Sequence, residues 1–336
     1  MPRVFVSDFI PGDVLEPLEA LAEVEVWDEK ERVPRETLLS RLVDCDGWLS
    51  MLSDRIDAEL LDSAPKLRVI SQMSVGVDNI DVEACRGHGV AVGHTPDVLT
   101  ESTADTAFAL IGAAVRRLPE GEAIVKSGAW GPWDPWHFLS SDLHGATLGI
   151  VGMGRIGQAV ARRAHGFDMK VLYTARTTKD VPGAEQLDLA TLLERSDIVV
   201  IAVPLSEETR GMIGRVEMRL MKDSAMLVNV ARGPIVDTDA LVEALADGII
   251  GGAALDVTDP EPLPPDHPLL QFPNCLVVPH IGSATISARR AMAALAVANL
   301  VAYLRQEPMP AWLPGSAAQP SGDYSAPGSP SESSDS

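Results

Sequence analysis

The sequence predicts an α/β protein made of two parallel-sheet domains. Three observations carry that expectation. Short apolar runs alternate with amphipathic helical stretches almost from the first residue, the alternation comes in two series, and a long segment of small and apolar residues at helical spacing separates the series.

In the first series RVFVSDF (3–9), VEVWD (24–28), DGWLSML (46–52), LRVISQM (67–73) and VAVGHT (90–95) read as strands, with helical patterns such as RETLLSRLV (35–43) between them. The segment TESTADTAFALIGAAVRRLPEGEAIVKSG (100–128) reads as a linker helix that carries the chain from one unit to the other. The second series is TLGIVG (147–152), KVLYT (170–174), DIVVIAVP (197–204), AMLVNVA (225–231), GGAALDV (251–257) and CLVVPH (275–280), with helices such as DTDALVEALADG (237–248). The runs are near-continuously apolar, as strands buried on both faces require, so each domain is expected to be a Rossmann- or flavodoxin-like sheet with helices on both sides. A last amphipathic helix, SARRAMAALAVANLVAYLRQ (287–306), can bring the chain back to the first unit. The expected domains are therefore 1–97 with 286–313, and 98–285. Residues 314–336, PGSAAQPSGDYSAPGSPSESSDS, are too poor in apolar side chains to offset the entropy of ordering and are expected to be a disordered tail.

Composition narrows the function. A net charge of −21 repels phosphate backbones and the basic residues form no patch, so nucleic acid is not an expected partner. No run is long and apolar enough for a membrane helix, and the N-terminus gains charges too early for a secretory leader, which points to the cytoplasm. Cys45, Cys85 and Cys275 lie far apart without metal-ligand spacing and are expected to be reduced, partly buried thiols. No metal site is expected.

The chemistry begins at TLGIVGMGRIGQAVARRA (147–164). Gly152, Gly154 and Gly157 form G-x-G-x-x-G directly after a strand and before a helix, the context in which glycines allow a tight turn, close approach to a pyrophosphate and close helix packing. The helix N-terminus then offers its free N–H groups to the phosphates. At the end of the next strand, where a carboxylate would bond the adenosine ribose, the chain has Ala175. Thr174, Arg176, Thr177 and Thr178 surround it, a cation and three hydroxyls suited to a 2′-phosphate. NADP(H) is thus the expected cofactor, with NAD(H) possible; the alternative for Arg176 is stacking on adenine or pointing into water.

Three stretches lie at or past the ends of second-series strands, where open α/β sheets bind ligands: VNVARGPIVD with Arg232, LDVTDPEPLPPDHPLL with Asp256 and Glu261, and VVPHIGSAT with His280 and Ser283. Reducing a carbonyl needs a proton donor for its oxygen, and an imidazolium at His280 meets that need. A carboxylate at Glu261 would orient the ring and favour its charged form. Arg232 can clamp a substrate carboxylate, which makes a 2-oxo acid the expected substrate.

Across residues 1 to about 313, the motifs MSVGVDNID, VGHTPDVLTESTAD, VGMGRIGQAVARR, NVARG, LDVTDPEPLPPDHPLL and PHIGSAT, in this order, resemble the D-isomer-specific 2-hydroxyacid dehydrogenase family, and most closely its glyoxylate/hydroxypyruvate reductase branch. The resemblance implies a substrate domain and a nucleotide-binding domain with the active site in the cleft between them, and a homodimer. It implies that Arg232, Glu261 and His280 are the catalytic Arg, Glu and His, and that Val75 and Gly76 belong to the loop whose amides hold the substrate carboxylate. Gly154, Arg155 and Ile156 match the phosphate loop, Asp256 the residue near the nicotinamide carboxamide, and Pro204, Val230 and Ala231 positions beside the cofactor; His280 and Gly282 join that set. Ser283 matches a polar residue beside the catalytic His. The missing acid at Ala175 is shared with the reductase branch. In that branch the region of WGPWDPWHF (130–138) belongs to a dimer arm, and Trp136 is a candidate to complete the neighbour's pocket, although the spacing is one residue shorter; simple packing is the alternative for Trp130, Trp133 and Trp136. His88, His94, His137, His144, His165 and His267 are expected to be surface or structural residues, His94 being the nearest to a site. Two readings stay beside the reductase: a dehydrogenase for another 2-oxo acid, and a nucleotide-sensing corepressor-like binding protein.

Overall fold

The computed structural model describes residues 1–320. The chain divides into two compact units, Met1–Pro96 together with the described residues from Arg290 on, and Asp97–Arg289.

The first unit carries strands β1 (Arg3–Val6), β2 (Glu23–Val26), β3 (Gly47–Ser50), β4 (Val69–Gln72) and β5 (Ala91–Gly93), all parallel, in the order β2-β1-β3-β4-β5. This is the flavodoxin-type order, whose strand sequence reverses between β1 and β3. Helices α1 (Gly12–Glu19), α2 (Arg35–Arg41), α3 (Ala58–Ser63) and α4 (Val82–Gly87) connect them. Strand residues alternate between two cores. Phe5, Trp48, Ile70 and Val92 pack with Leu38, Leu60 and Leu61 on one face, while Val4, Val6, Leu49 and Val69 pack with Ala293, Ala296, Val297 and Leu300 on the other. That period of two, with both faces covered, is why the runs read as continuously apolar.

The segment expected to be one linker helix is two helices, α5 (Thr100–Val115) and α6 (Leu118–Lys126), both within the second unit. Arg117 takes a left-handed backbone conformation at φ 53° and Pro119 sits in the first turn of α6, so the hydrogen-bond ladder breaks between them. The chain passes between units just before α5, at Pro96–Asp97.

Seven strands form the second sheet: β6 (Thr147–Val151), β7 (Lys170–Thr174), β8 (Ala184–Gln186), β9 (Ile198–Ile201), β10 (Met226–Asn229), β11 (Gly252–Leu255) and β12 (Cys275–Val277). Their order, β12-β11-β10-β9-β6-β7-β8, is that of a dinucleotide-binding sheet, reversing between β6 and β9. Helices α7 (Arg155–Ala164), α8 (Leu189–Arg195), α9 (Arg215–Leu220) and α10 (Thr238–Ala246) connect the strands. Ile150, Tyr173 and Val200 face Ala107 and Ile111 of α5, whereas Val151, Leu172 and Val199 face Leu192, Met218 and Leu241. The edge strand β8 is not among the expected ones: AEQ is short and polar, and only pairing with β7 makes it a strand.

Helix α11 (Ile286–Leu304) begins in the second unit and continues into the first. Beyond it the structure corrects the expected start of the tail. Leu313 N–H donates to Val92 O (2.8 Å), Ala317 N–H to Val90 O (3.2 Å), and Ser316 Oγ accepts from Val92 N–H (3.1 Å). Residues 313–317 thus satisfy the otherwise open edge of β5, an ordering force that composition does not register. The rest of the expected tail, 321–336, lies outside the described residues.

All three cysteines are free thiols, and burial pushes them up, to about 11 for Cys45 and about 12 for Cys85 and Cys275, which keeps them protonated and unreactive. No helix among the described residues is long and apolar enough to cross a membrane.

Candidate active site

In the second unit the three expected stretches leave the carboxyl ends of adjacent strands. Arg232 follows β10, Asp256 follows β11 and His280 follows β12. Their closeness depends on Gly233, where a Cβ would lie 1.9 Å from Thr258 O; only a bare backbone lets the turn after Arg232 pass the segment leading to Glu261.

His280 Nδ1 stands 2.7 Å from Glu261 Oε1. The pair is partly shielded, with 29% and 37% of the two side chains exposed, so their attraction is less screened than on an open surface. Burial is the largest influence on Glu261 and alone would raise its carboxyl. The hydrogen bond and charge of His280, the Thr258 N–H (3.3 Å) and the charge of Arg232 together outweigh it, and the carboxyl is held below its ordinary range. Glu261 is therefore a carboxylate at neutral pH, and with Nδ1 engaged, Nε2 is the ring atom left for a substrate.

His280 has a left-handed backbone at φ 53°, unusual outside glycine. Asp256 holds that turn. Its backbone carbonyl accepts from His280 N–H (2.8 Å), and its buried carboxylate accepts from Ile281 N–H (2.7 Å) and Gly282 N–H (2.9 Å). A Cβ at Gly282 would meet Asp256 Oδ2 at 2.8 Å, so glycine is required for the carboxylate to reach both amides. Arg232 is anchored through its backbone, its carbonyl accepting from Asn229 Nδ2 (2.8 Å), and Nη1 turns back to Ala231 O (2.8 Å). Asn229, fully buried, also accepts from Ala231 N–H (3.0 Å); its role was not foreseen, although it opens the motif NVARG.

The glycine loop lies between β6 and α7. Gly152 has φ 103°, and a Cβ there would lie 2.6 Å from Ala202 O; one at Gly157 would lie 2.1 Å from Gly152 O. Those two glycines are dictated by packing. At Gly154 a Cβ would meet nothing within 4 Å, so that glycine faces open space. Gly154 caps α7 with no side-chain hydrogen bond, which leaves the first-turn N–H groups of Arg155, Ile156 and Gly157 to an anion. The residues present therefore fit a dinucleotide pyrophosphate. Arg155 Nε pairs with Asp97 Oδ1 at 2.5 Å beside this loop.

At the end of β7, Ala175 occupies the position of the ribose acid. Arg176, Thr177 and Thr178 are exposed, in a loop closed by the buried Tyr173, whose Oη donates to Lys179 O (2.9 Å) and accepts from Lys179 N–H (3.0 Å). Arg176 is also 3.8 Å from Glu208, a carboxylate that was not expected here. Its turn is fixed by Thr209 Oγ1, which accepts from Ser206 N–H and donates to Pro204 O (2.8 and 2.7 Å). Val230 is buried and Pro204 exposed at the ends of β10 and β9; Ser283 lies partly exposed just past His280.

In the first unit, Val75 and Gly76 lie in the loop after β4, at the carboxyl end of that sheet. The loop is tied down by Gln72, which sequence reasoning did not single out, and by His94, expected to be structural and the histidine nearest to a site. Gln72 Nε2 donates to Gly76 O (2.7 Å), and His94 Nδ1 lies 3.2 Å from Val75 O.

A dinucleotide-type sheet, a glycine loop open to a pyrophosphate, and an imidazole–carboxylate pair beside an arginine define a nicotinamide-dependent oxidoreductase. The comparisons make this specific. Residues 108–282 match the family model described as D-isomer specific 2-hydroxyacid dehydrogenase, NAD binding domain. The chain is 48% identical over 314 residues to the glyoxylate reductase of Pyrococcus furiosus, covering 91% of this chain and 93% of that one. A crystal structure of a Thermus thermophilus protein superposes with TM-score 0.88 at 49% identity, over 93% of this chain and 99% of that one. The NADPH-dependent glyoxylate/hydroxypyruvate reductase of Sinorhizobium meliloti, solved with NADP and malonate, gives TM-score 0.84 at 33% identity, over 95% and 98%. The chain belongs to the D-isomer-specific 2-hydroxyacid dehydrogenase family and is an NAD(P)-dependent oxidoreductase acting on small 2-oxo acids.

Proposed function

We propose that this protein is a cytoplasmic, homodimeric reductase that uses NADPH to convert glyoxylate, hydroxypyruvate or both to the hydroxy acid, of D configuration where carbon 2 is a stereocentre. The observation that carries this reading is the His280–Glu261 pair at 2.7 Å, with a carboxyl held ionised beside Arg232.

The bound cofactor supplies a hydride to carbon 2. As it arrives, His280 Nε2 gives its proton to the carbonyl oxygen, which becomes the hydroxyl, and the neutral ring takes a proton back from solvent. Glu261 keeps the ring oriented through Nδ1. Arg232 clamps the substrate carboxylate and polarises the carbonyl; backbone amides of the loop that contains Val75 and Gly76 hold that carboxylate, with Ser283 beside His280. Gly154, Arg155, Ile156 and Gly157 take the pyrophosphate, with Gly152 making the turn that brings them to it. Thr174, Arg176, Thr177 and Thr178 take the 2′-phosphate, while Pro204, Val230, Ala231, Asp256 and Gly282 flank the rest of the cofactor. Because the Asp256 carboxylate already carries two backbone N–H bonds, holding the His280 turn is part of its task.

The NADPH assignment is supported by the absence of a carboxylate at Ala175, by Arg176 and by the description of the Sinorhizobium relative as NADPH-dependent. Glu208 at 3.8 Å from Arg176 is a specific observation in favour of some use of NADH, since it opposes a second negative group there. The dimer is supported by Trp130, Trp133 and Trp136, which are 76%, 86% and 80% exposed, an aromatic group that a second subunit would cover. Following the oxidation of NADPH and NADH with glyoxylate, hydroxypyruvate and pyruvate tests the reading. Turnover with glyoxylate or hydroxypyruvate, faster with NADPH, is expected; no oxidation with any pairing would overturn it.

A further inference from the structure

The loop that follows β4 is held by three side chains that take no part in the chemistry above. Gly76 O accepts from both Gln72 Nε2 (2.7 Å) and Ser74 Oγ (2.6 Å), and Val75 O lies 3.2 Å from His94 Nδ1. None of the peptide bonds in this loop is cis, and in a trans peptide the carbonyl of one residue and the N–H of the next point in opposite directions. Anchoring Val75 O therefore directs Gly76 N–H away from His94. Anchoring Gly76 O likewise directs Val77 N–H away from Gln72. Neither N–H has a hydrogen-bond partner among the described residues.

The anchors are themselves fixed. Gln72 is fully buried at the end of β4 and makes a reciprocal amide pair with Asn79, Nε2 to Oδ1 at 2.9 Å and Nδ2 to Oε1 at 2.7 Å; Asn79 Nδ2 also donates to Asp54 O (2.6 Å). The His94 backbone is held on both sides, its N–H by Ala311 O (3.0 Å) and its carbonyl by Asn299 Nδ2 (3.1 Å), and Thr95 N–H closes onto Ser74 O (2.8 Å).

We infer that Gln72 and His94 are positioning residues for the substrate: through two consecutive carbonyls they aim two consecutive backbone N–H groups, on Gly76 and Val77, at the carboxylate of a 2-oxo acid. The inference rests on the reading of this loop as the carboxylate-binding loop. Fixed amides bind an anion without paying to order themselves at the moment of binding, so loosening either anchor weakens carboxylate binding without touching the hydride or proton transfer.

The test compares the full-length wild type with His94→Phe, His94→Asn and Gln72→Met, using glyoxylate as substrate and oxalate as a carboxylate inhibitor competing with it. For His94→Phe and Gln72→Met the KM for glyoxylate and the inhibition constant for oxalate are expected to rise together by about tenfold, with the effect on KM rather than kcat and with the KM for cofactor unmoved. His94→Asn, whose amide can donate to the same carbonyl, should recover part of the loss. His94 is partly exposed, so its variants keep the question answerable if the buried Gln72→Met fails to fold. Unchanged constants in folded His94→Phe would overturn the positioning role. A wild type that oxalate does not inhibit would instead overturn the carboxylate reading on which it rests.

Discussion

At His280 the backbone and the side chain are governed by different acids. Asp256 holds the left-handed turn through three backbone bonds and Glu261 holds the ring, so neither carboxylate substitutes for the other. Replacing the proposed proton donor, His280→Gln, is expected to lower kcat by about 10²- to 10⁴-fold while cofactor affinity, measured by titrating the bound NADPH signal, stays close to wild type. Near-normal turnover would remove His280 from its role. Arg176→Ala should raise the KM for NADPH by roughly 10- to 100-fold, the worth of a charged hydrogen bond, and that for NADH much less. Equal rises would reduce Arg176 to an adenine shelf. The residue types of this site were legible in the sequence because carbonyl reduction demands them. Glu208 and Tyr173 were not, since neither lies in a motif and each acts on the 174–179 loop through a tertiary contact.

Among the elements, the β6–α7 turn shows how three glycines of one motif answer to different forces. Gly157→Ala puts a methyl 2.1 Å from Gly152 O, so it should destabilise the protein by about 1–3 kcal/mol, the usual cost of overpacking, and weaken NADPH and NADH alike. Gly154→Ala meets nothing within 4 Å and should leave the thermal midpoint nearly unchanged while weakening both cofactors through the space a pyrophosphate needs. Thermal unfolding set beside cofactor titration separates the two; a matching loss of stability in both variants would contradict this division. The motif was legible as strand, turn and helix, but its glycines could be sorted into packing and ligand positions only once Ala202 O and Gly152 O were placed. Elements whose existence depends on pairing stayed hidden: β8 is a strand because β7 has an open edge, and residues 313–317 are ordered because β5 has one.

For the whole molecule, stability carries a pH dependence to which Asp54 contributes. Burial, the largest influence, pushes its carboxyl up from the ordinary 3.8 to about 6, against the Met51 N–H and Ser7 hydrogen bonds that favour ionisation. Between those values the unfolded chain is ionised at this residue while the folded chain holds the proton, so folding is favoured by it below about pH 4 and loses that contribution as pH rises through about 6, by at most ~3 kcal/mol. Asp54→Asn should therefore raise the urea midpoint at pH 7 and not at pH 4; an equal shift at both would refute the assignment. In sedimentation the wild type is expected at twice the chain mass, and Trp130→Ser with Trp133→Ser and Trp136→Ser should shift it toward monomer; a monomeric wild type would leave the three exposed aromatics to another partner. By itself the sequence determined the two parallel sheets and the dinucleotide loop, and it singled out Arg232, Glu261 and His280 as the proposed reactive set, because buried strands, phosphate turns and proton transfer each restrict the residue types that can serve. Only the tertiary structure decided which groups meet: the Asp256 clasp on the His280 turn, Glu208 beside Arg176, Gln72 and His94 behind the Val75–Gly76 loop. Those partners lie far apart in the chain or outside any motif, and their value comes from distance and direction, which a pattern of residue types does not contain.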